Sequence, residues 1–177
     1  MRKRKWFVLK LLSVVFLVIV VFGVFVMPRM VRAEIAIDES VYYPVTQVKD
    51  GDTIKAKIGR KEITVRMLGI DTPETVDPRK PEQCFGREAS DESKRLLTGK
   101  KVQLRLNPKR EVKDKFGRYL AYVYLEDGTF VNEYMLRNGF AREYTFGKPY
   151  SMKEDFVATQ NEARQRNIGL WRVCVTD

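Results

Sequence analysis

Two acidic clusters and one arginine crowd the stretch DGDTIKAKIGRKEITVRMLGIDTPE, residues 50–74. Asp50 and Asp52 flank Gly51, Arg66 follows an alternating run, and Asp71, Thr72 and Glu74 surround Pro73. Carboxylates gathered without a compensating partner repel one another, so a fold that assembles them is built to receive a cation. An arginine beside them offers a planar fork of donors that matches phosphate oxygens. These residue types fit metal-assisted chemistry on a phosphodiester.

The composition narrows that chemistry. The chain has no histidine, which excludes Ser-His-Asp triads, histidine acid–base catalysis and histidine-ligated zinc. Any metal must be held by oxygen, which favours calcium or magnesium. The net charge of +10 invites a polyanion partner, but residues 1–33 hold seven basic residues and no acidic one, so the remainder carries only +3. Local placement must therefore carry any argument for nucleic acid. The two cysteines, Cys84 and Cys174, are two thiols in a reducing compartment and a natural disulfide in an oxidising one.

The elements that must position these groups follow from alternation and turn signals. Residues 41–49, Thr53–Ile58 and Glu62–Leu68 read as a meander joined at Asp50-Gly51 and Gly59-Arg60. Residues 75–85 form a charged, proline-containing loop, and Gly86–Leu97 reads as a helix ended by Thr98-Gly99. Lys101–Leu106 alternates cleanly, the charged loop NPKREVKDKFG follows, and Tyr119–Leu125 is a further strand. Val131–Asn138 and Met152–Arg166 read as helices. Five strands interrupted by a helix after the third, in an α+β order, suit a small, partly open five-stranded barrel of OB type with about three helices.

Ahead of this domain, RKRK at residues 2–5 precedes an apolar run within residues 6–27. That pattern is a membrane-targeting segment over residues 1–33. It serves either as an anchor or as a signal peptide cleaved near Ala33, and both outcomes place the domain outside the cytoplasm. Residues 34–40 read as a linker and 41–175 as the folded domain.

DGDT at 50–53, the run from Arg66 to IDTPE at 70–74, and DKFGR at 114–118 followed by YLAYVY resemble the thermonuclease (staphylococcal or micrococcal nuclease) family in order and spacing over roughly residues 41–172. Any one motif is weak, since an Asp-Gly turn is commonplace; the three together are specific. The resemblance implies that Asp52, Asp71 and the backbone carbonyl of Thr72 hold Ca²⁺, with Arg66 and Arg118 gripping phosphate and Glu74 handling the attacking water. It further implies DNA and RNA as substrates, single-stranded or frayed, 3′-phosphate products and a monomeric enzyme.

Two departures concern nucleotide binding. The family's best-known member has tyrosine where Phe116 stands, so a hydroxyl is lost while a stacking ring is kept. A second family tyrosine maps to Tyr144 or Thr145 according to a one-residue alignment choice; we take Tyr144. Lys115, with Lys109, Arg110 and Lys113 in its loop and Arg79-Lys80 in another, can add phosphate attraction or simply be solvated. The layout suggests that Cys84 and Cys174 bridge, tying the C-terminal tail to the active-site loop and contributing up to roughly 4–5 kcal/mol by the chain-entropy argument. The alternative function is a non-catalytic OB module that binds nucleic acid at the membrane; such a module is expected to lose the acids or arginines retained here.

Overall fold

The computed structural model describes residues 35–75 and 81–174. The targeting segment at 6–27, the cleavage point near Ala33 and the Arg79-Lys80 pair lie outside the described residues. Among the described residues no helix is long and apolar enough to cross a membrane.

Strands β1 (Tyr42–Asp50), β2 (Thr53–Ile58), β3 (Lys61–Met67), β5 (Lys101–Leu106) and β6 (Tyr119–Leu125) close into a barrel in the order β1-β2-β3-β6-β5. All neighbours are antiparallel except β3 and β6. The barrel is closed where the sequence suggested a partly open one, because Tyr42, Tyr43 and Pro44 of β1 pair with Gln103, Val102 and Lys101 of β5. Two register shifts bend β1 on its way from β5 to β2. Alternation fills the interior: Ile63, Val65 and Met67 of β3 and Val102 and Leu104 of β5 are buried. Arg66 therefore points to the other face of β3 from its two apolar neighbours.

Three longer helices cover the barrel: α1 (Gly86–Leu97), α2 (Val131–Arg137) and α3 (Lys153–Gln165), followed by the single turn α4 (Leu170–Val173). Helix α1 packs on β1, and α2 on both α3 and β6. Buried Asn132 on α2 satisfies two barrel groups. Its Oδ1 accepts from Val123 N–H at 2.9 Å and its Nδ2 donates to Leu68 O at 2.9 Å. This fixes the helix against two strands without leaving a polar atom orphaned. The five-stranded α+β barrel is the expected OB architecture, and Thr53–Ile58, Lys101–Leu106, Tyr119–Leu125 and Gly86–Leu97 form with the expected bounds.

The sequence reading missed a two-stranded ribbon of β4 (Ile70–Asp71) and β7 (Arg142–Glu143), paired Ile70↔Glu143 and Asp71↔Arg142. It lies directly at the acidic cluster. The stretch read as a linker is not slack near its end: Glu39 accepts a hydrogen bond from Leu106 N–H at 2.9 Å, and Asp38 N–H donates to Tyr43 Oη at 2.8 Å.

Candidate active site

Asp52 sits in the β1–β2 turn and Arg66 near the end of β3, opposite Thr53 in the ladder. The backbone is pinned here by Met67 N–H donating to Asp52 O at 2.8 Å. Asp52 is only 4% exposed, and its carboxylate is satisfied on both oxygens. Oδ1 accepts from Thr53 Oγ1 at 2.9 Å, and Oδ2 from Thr72 N–H at 3.0 Å. The Arg66 guanidinium lies between two acids. Its Nη2 donates to Asp71 Oδ1 at 2.6 Å, and its Nη1 meets Asp52 Oδ2 as a charge contact off the hydrogen-bond axis. Asp71 ends β4, so its pairing with Arg142 of β7 sets where this second carboxylate stands. Gly51 allows the two turns to touch: a Cβ there would lie 2.7 Å from the Thr72 side chain.

Asp50 joins the cluster. It is 9% exposed, and its Oδ1 accepts from Gly51 N–H at 2.7 Å and weakly from Thr75 Oγ1 at 3.4 Å. Burial pushes its carboxyl up to about 6; the Gly51 hydrogen bond opposes the rise, and the charges of Asp52 and Glu74 add to it. Asp71 is also raised by its partial burial, against the pull of Arg66. Asp50 was read as a turn former; burial beside Asp52 makes it part of the acidic wall as well.

Glu74 follows the Asp71–Thr72 turn. Its backbone is held on both sides by one residue: its N–H donates to Gln83 Oε1 at 2.8 Å, and its carbonyl accepts from Gln83 N–H at 3.0 Å. Arg118 precedes β6, the parallel neighbour of β3, where Arg66 pairs with Leu120. Arg118 thus lies two residues ahead of the β6 position that pairs with Arg66, on the order of 8 Å away between Cα atoms for strand-like spacing. Arg118 is held by Asp114 of its own turn, through Nε to Oδ2 at 2.6 Å and N–H to Oδ1 at 3.0 Å.

Around these charges lies an exposed aromatic surface. Phe116 is 71% exposed, with Lys115 Nζ and the Arg118 guanidinium over its ring at 5.0 and 5.3 Å. Tyr144 is exposed and stacks against exposed Phe146, centroids 6.5 Å apart. Its N–H donates to Gly69 O at 3.0 Å, which ties it to the turn just before β4. Thr145, the other alignment choice, gives its hydroxyl to Glu143. Of the basic loop, Arg110 is committed inward: its Nη1 donates to the carbonyls of Phe146, at 2.7 Å, and Lys148. Lys113 lies over the Tyr119 ring at 4.4 Å. Cys84 and Cys174 are bridged, Cα atoms 5.8 Å apart.

A family model of staphylococcal nuclease homologues matches residues 64–173, more than half of the chain. The chain belongs to the staphylococcal nuclease family. It is 41% identical over 129 residues to a thermonuclease of Staphylococcus hyicus, covering 73% of this chain and 75% of that protein. With the same coverage it is 39% identical to a thermonuclease of Staphylococcus intermedius. It is 40% identical over 123 residues to endonuclease YncB of Bacillus subtilis strain 168, covering 69% of this chain and 57% of that one. Its chemical class is accordingly that of a nuclease, a hydrolase acting on nucleic acid.

For a nuclease of this family the donor chemistry suits a hard divalent cation. Asp52 and Asp71 reach from separate turns toward one positive group, so the site already gathers positive charge between them. With no histidine in the chain and both cysteines bridged, every available ligand is oxygen. Among the described residues no three acidic, histidine or cysteine side chains form a ready metal cage. To hold such a cation, Asp52 and Asp71 would need further oxygen donors, from a backbone carbonyl or water.

The structure brings Arg66, Asp52, Asp71, Thr72 and Glu74 into one wall and sets Arg118 in the turn just before the adjacent strand β6. Sequence reasoning missed Gln83 and the β4–β7 pairing. An exposed glutamine in a charged loop carries no signal, and two-residue strands have no periodicity to read.

Proposed function

We propose that this nuclease is extracytoplasmic and calcium-dependent, cleaving DNA and RNA with little sequence preference, leaving 3′-phosphate ends and working as a monomer. The observation that carries this reading is Arg66 of β3, held between Asp52 and Asp71, with Arg118 in the turn that leads directly into β6, the parallel neighbour of β3. A phosphodiester entering there displaces carboxylate partners from two guanidinium groups whose forks match its oxygens. As phosphorus becomes five-coordinate, the same donors meet the added charge.

Glu74 takes a proton from water. The water oxygen bonds to phosphorus in line with the departing 5′-oxygen, the P–O5′ bond breaks, the 5′-oxygen takes a proton from solvent to leave as a 5′-hydroxyl, and the phosphate remains on the 3′-oxygen. Asp52, Asp71 and the Thr72 carbonyl would hold a calcium ion, which when bound neutralises phosphate charge and acidifies water. Phosphate contacts position without specifying. The exposed rings of Phe116 and Tyr144 stack on any unstacked base, hence single-stranded or frayed substrates. The bridged cysteines suit an oxidising compartment, and the basic-then-apolar leader suits either an anchor at residues 6–27 or release after cleavage near Ala33.

Digestion of single-stranded DNA and of RNA, measured with calcium, with EDTA, and for Arg66→Ala and Glu74→Ala, tests the reading. Each change is expected to cut cleavage by about 10²-fold or more. Cleavage that persists in EDTA, or in both variants, would sink the mechanism. Tight binding without cleavage by the intact protein would instead favour a non-catalytic binding module.

A further inference from the structure

A carboxylate that handles water must be held to within a fraction of an ångström, yet Glu74 lies in a turn followed by a charged loop. Its peptide groups are gripped by a single residue. Gln83 accepts the Glu74 N–H through its side chain at 2.8 Å and donates its own N–H to the Glu74 carbonyl at 3.0 Å. The loop between them is thereby closed at its neck.

The grip is itself anchored from three directions. The Gln83 carbonyl accepts from Gly86 N–H at 3.0 Å, the first residue of α1. Gly86 lies flush against the turn: a Cβ there would stand 2.7 Å from Thr75 Cγ2 and 3.2 Å from the carbonyls of Pro73 and Glu74. Cys84, next in sequence, is bridged to Cys174, whose N–H donates to Leu170 O at 2.9 Å. Leu170 is fully buried, so the bridge ties the neck to the core. Phe85 then adopts φ 67°, a left-handed conformation that side chains other than glycine rarely take, with its ring stacked on Phe140 at 5.7 Å. Such a conformation persists only where its surroundings over-determine it. Disulfide, ring stack and helix start together force the chain to present Gln83 toward Glu74.

We propose that Gln83, held by the Cys84–Cys174 bridge and the Phe85 turn, is the positioning residue for Glu74, fixing where its carboxylate meets the water that attacks phosphate. Gln83 touches neither substrate nor metal; it acts through the backbone of Glu74. The proposal rests on the role given to Glu74 above. Because Gln83 is exposed, its truncation removes no core contact.

The test uses the full chain, with Q83L and Q83A removing the acceptor and Q83E retaining it. Steady-state cleavage of a single-stranded DNA oligonucleotide gives kcat and KM. In Q83L and Q83A, kcat is expected to fall roughly 10- to 100-fold, the cost of about an ångström of misplacement, with KM and thermal midpoint unchanged. Q83E should recover to within about 3-fold, because a carboxylate oxygen also accepts the Glu74 N–H. In the Glu74→Ala background Q83L should cost nothing further, since residues acting through one group are not additive. Unchanged kcat in both Q83L and Q83A overturns the proposal, as does an effect that multiplies with Glu74→Ala. Should Glu74→Ala itself leave kcat unchanged, it is the role of Glu74 that fails.

Discussion

Arg66 on β3 and Arg118 in the turn before the neighbouring strand β6 are held in different ways. Arg66 has a side chain 12% exposed and touches two carboxylates contributed by different turns, one of them the buried Asp52. Arg118 is 32% exposed and leans on one acid four residues back in its own loop. The first arrangement depends on long-range packing: β2 against β3, Gly51 against Thr72, β4 against β7. The second is local and folds with its turn. A cluster of the first kind couples function to stability, because removing one member leaves a buried charge uncompensated. A pair of the second kind contributes little to stability however much it contributes to chemistry.

The largest expected effect follows from that contrast. Arg66→Ala should lower kcat by about 10³-fold or more and, in EDTA, lower stability to urea by about 3 kcal/mol, since Asp52 loses its counter-charge. Arg118→Ala should lower kcat by a comparable factor yet shift stability by less than about 1 kcal/mol. Chemical denaturation alongside single-turnover cleavage checks both; equal destabilisation by the two variants breaks the comparison.

The same contrast explains what could be read from sequence. The barrel strands announced themselves because Val102 and Leu104, or Ile63, Val65 and Met67, alternate with polar neighbours, and Asp50-Gly51 and Gly59-Arg60 mark the hairpins. Which residues bear charge near the site was equally visible. Hidden were the contacts that cross the fold: Asp71 against Arg142, Gln83 around Glu74, Gly86 against Thr75, and the burial that makes Asp50 part of the acidic wall. Arg110 is instructive, since a basic residue in a basic loop looks like a phosphate contact. Only the approach of the Phe146 and Lys148 carbonyls reveals a tie between two loops. Pattern reports what an element is; it does not report which loop another loop will meet.

A smaller effect is expected at the disulfide, where local and long-range restraints combine. Replacing both Cys84 and Cys174 by serine should cost about 4 kcal/mol for a closed loop of 90 residues, read as a lower thermal midpoint. Reductant should reproduce the loss in the native chain. If the thermal midpoint stays put, the neck of the Glu74 loop is held by Phe85 and Gly86 alone, and the exposed segment is more self-sufficient than the buried one.

On the exposed side, Phe116 isolates the contribution of a ring that the barrel does not support. It buries little, so Phe116→Ala should leave folding intact and weaken binding of a single-stranded oligonucleotide about 10-fold, the typical worth of one base stacked on an aromatic ring. The cations over the ring argue for the same surface: Lys115 and Arg118 already engage its face, and a base arriving there trades places with them rather than finding bare hydrocarbon. Phe116→Tyr adds a hydroxyl to the ring and should tighten binding only about 3-fold, because a solvent-exposed hydrogen bond contributes about 0.5–1 kcal/mol net. Fluorescence anisotropy in EDTA, where cleavage does not intrude, measures both. A Phe116→Tyr gain larger than the Phe116→Ala loss would mean that the hydroxyl outweighs the ring, and that this loop grips the phosphate, as Arg66 does, instead of the base.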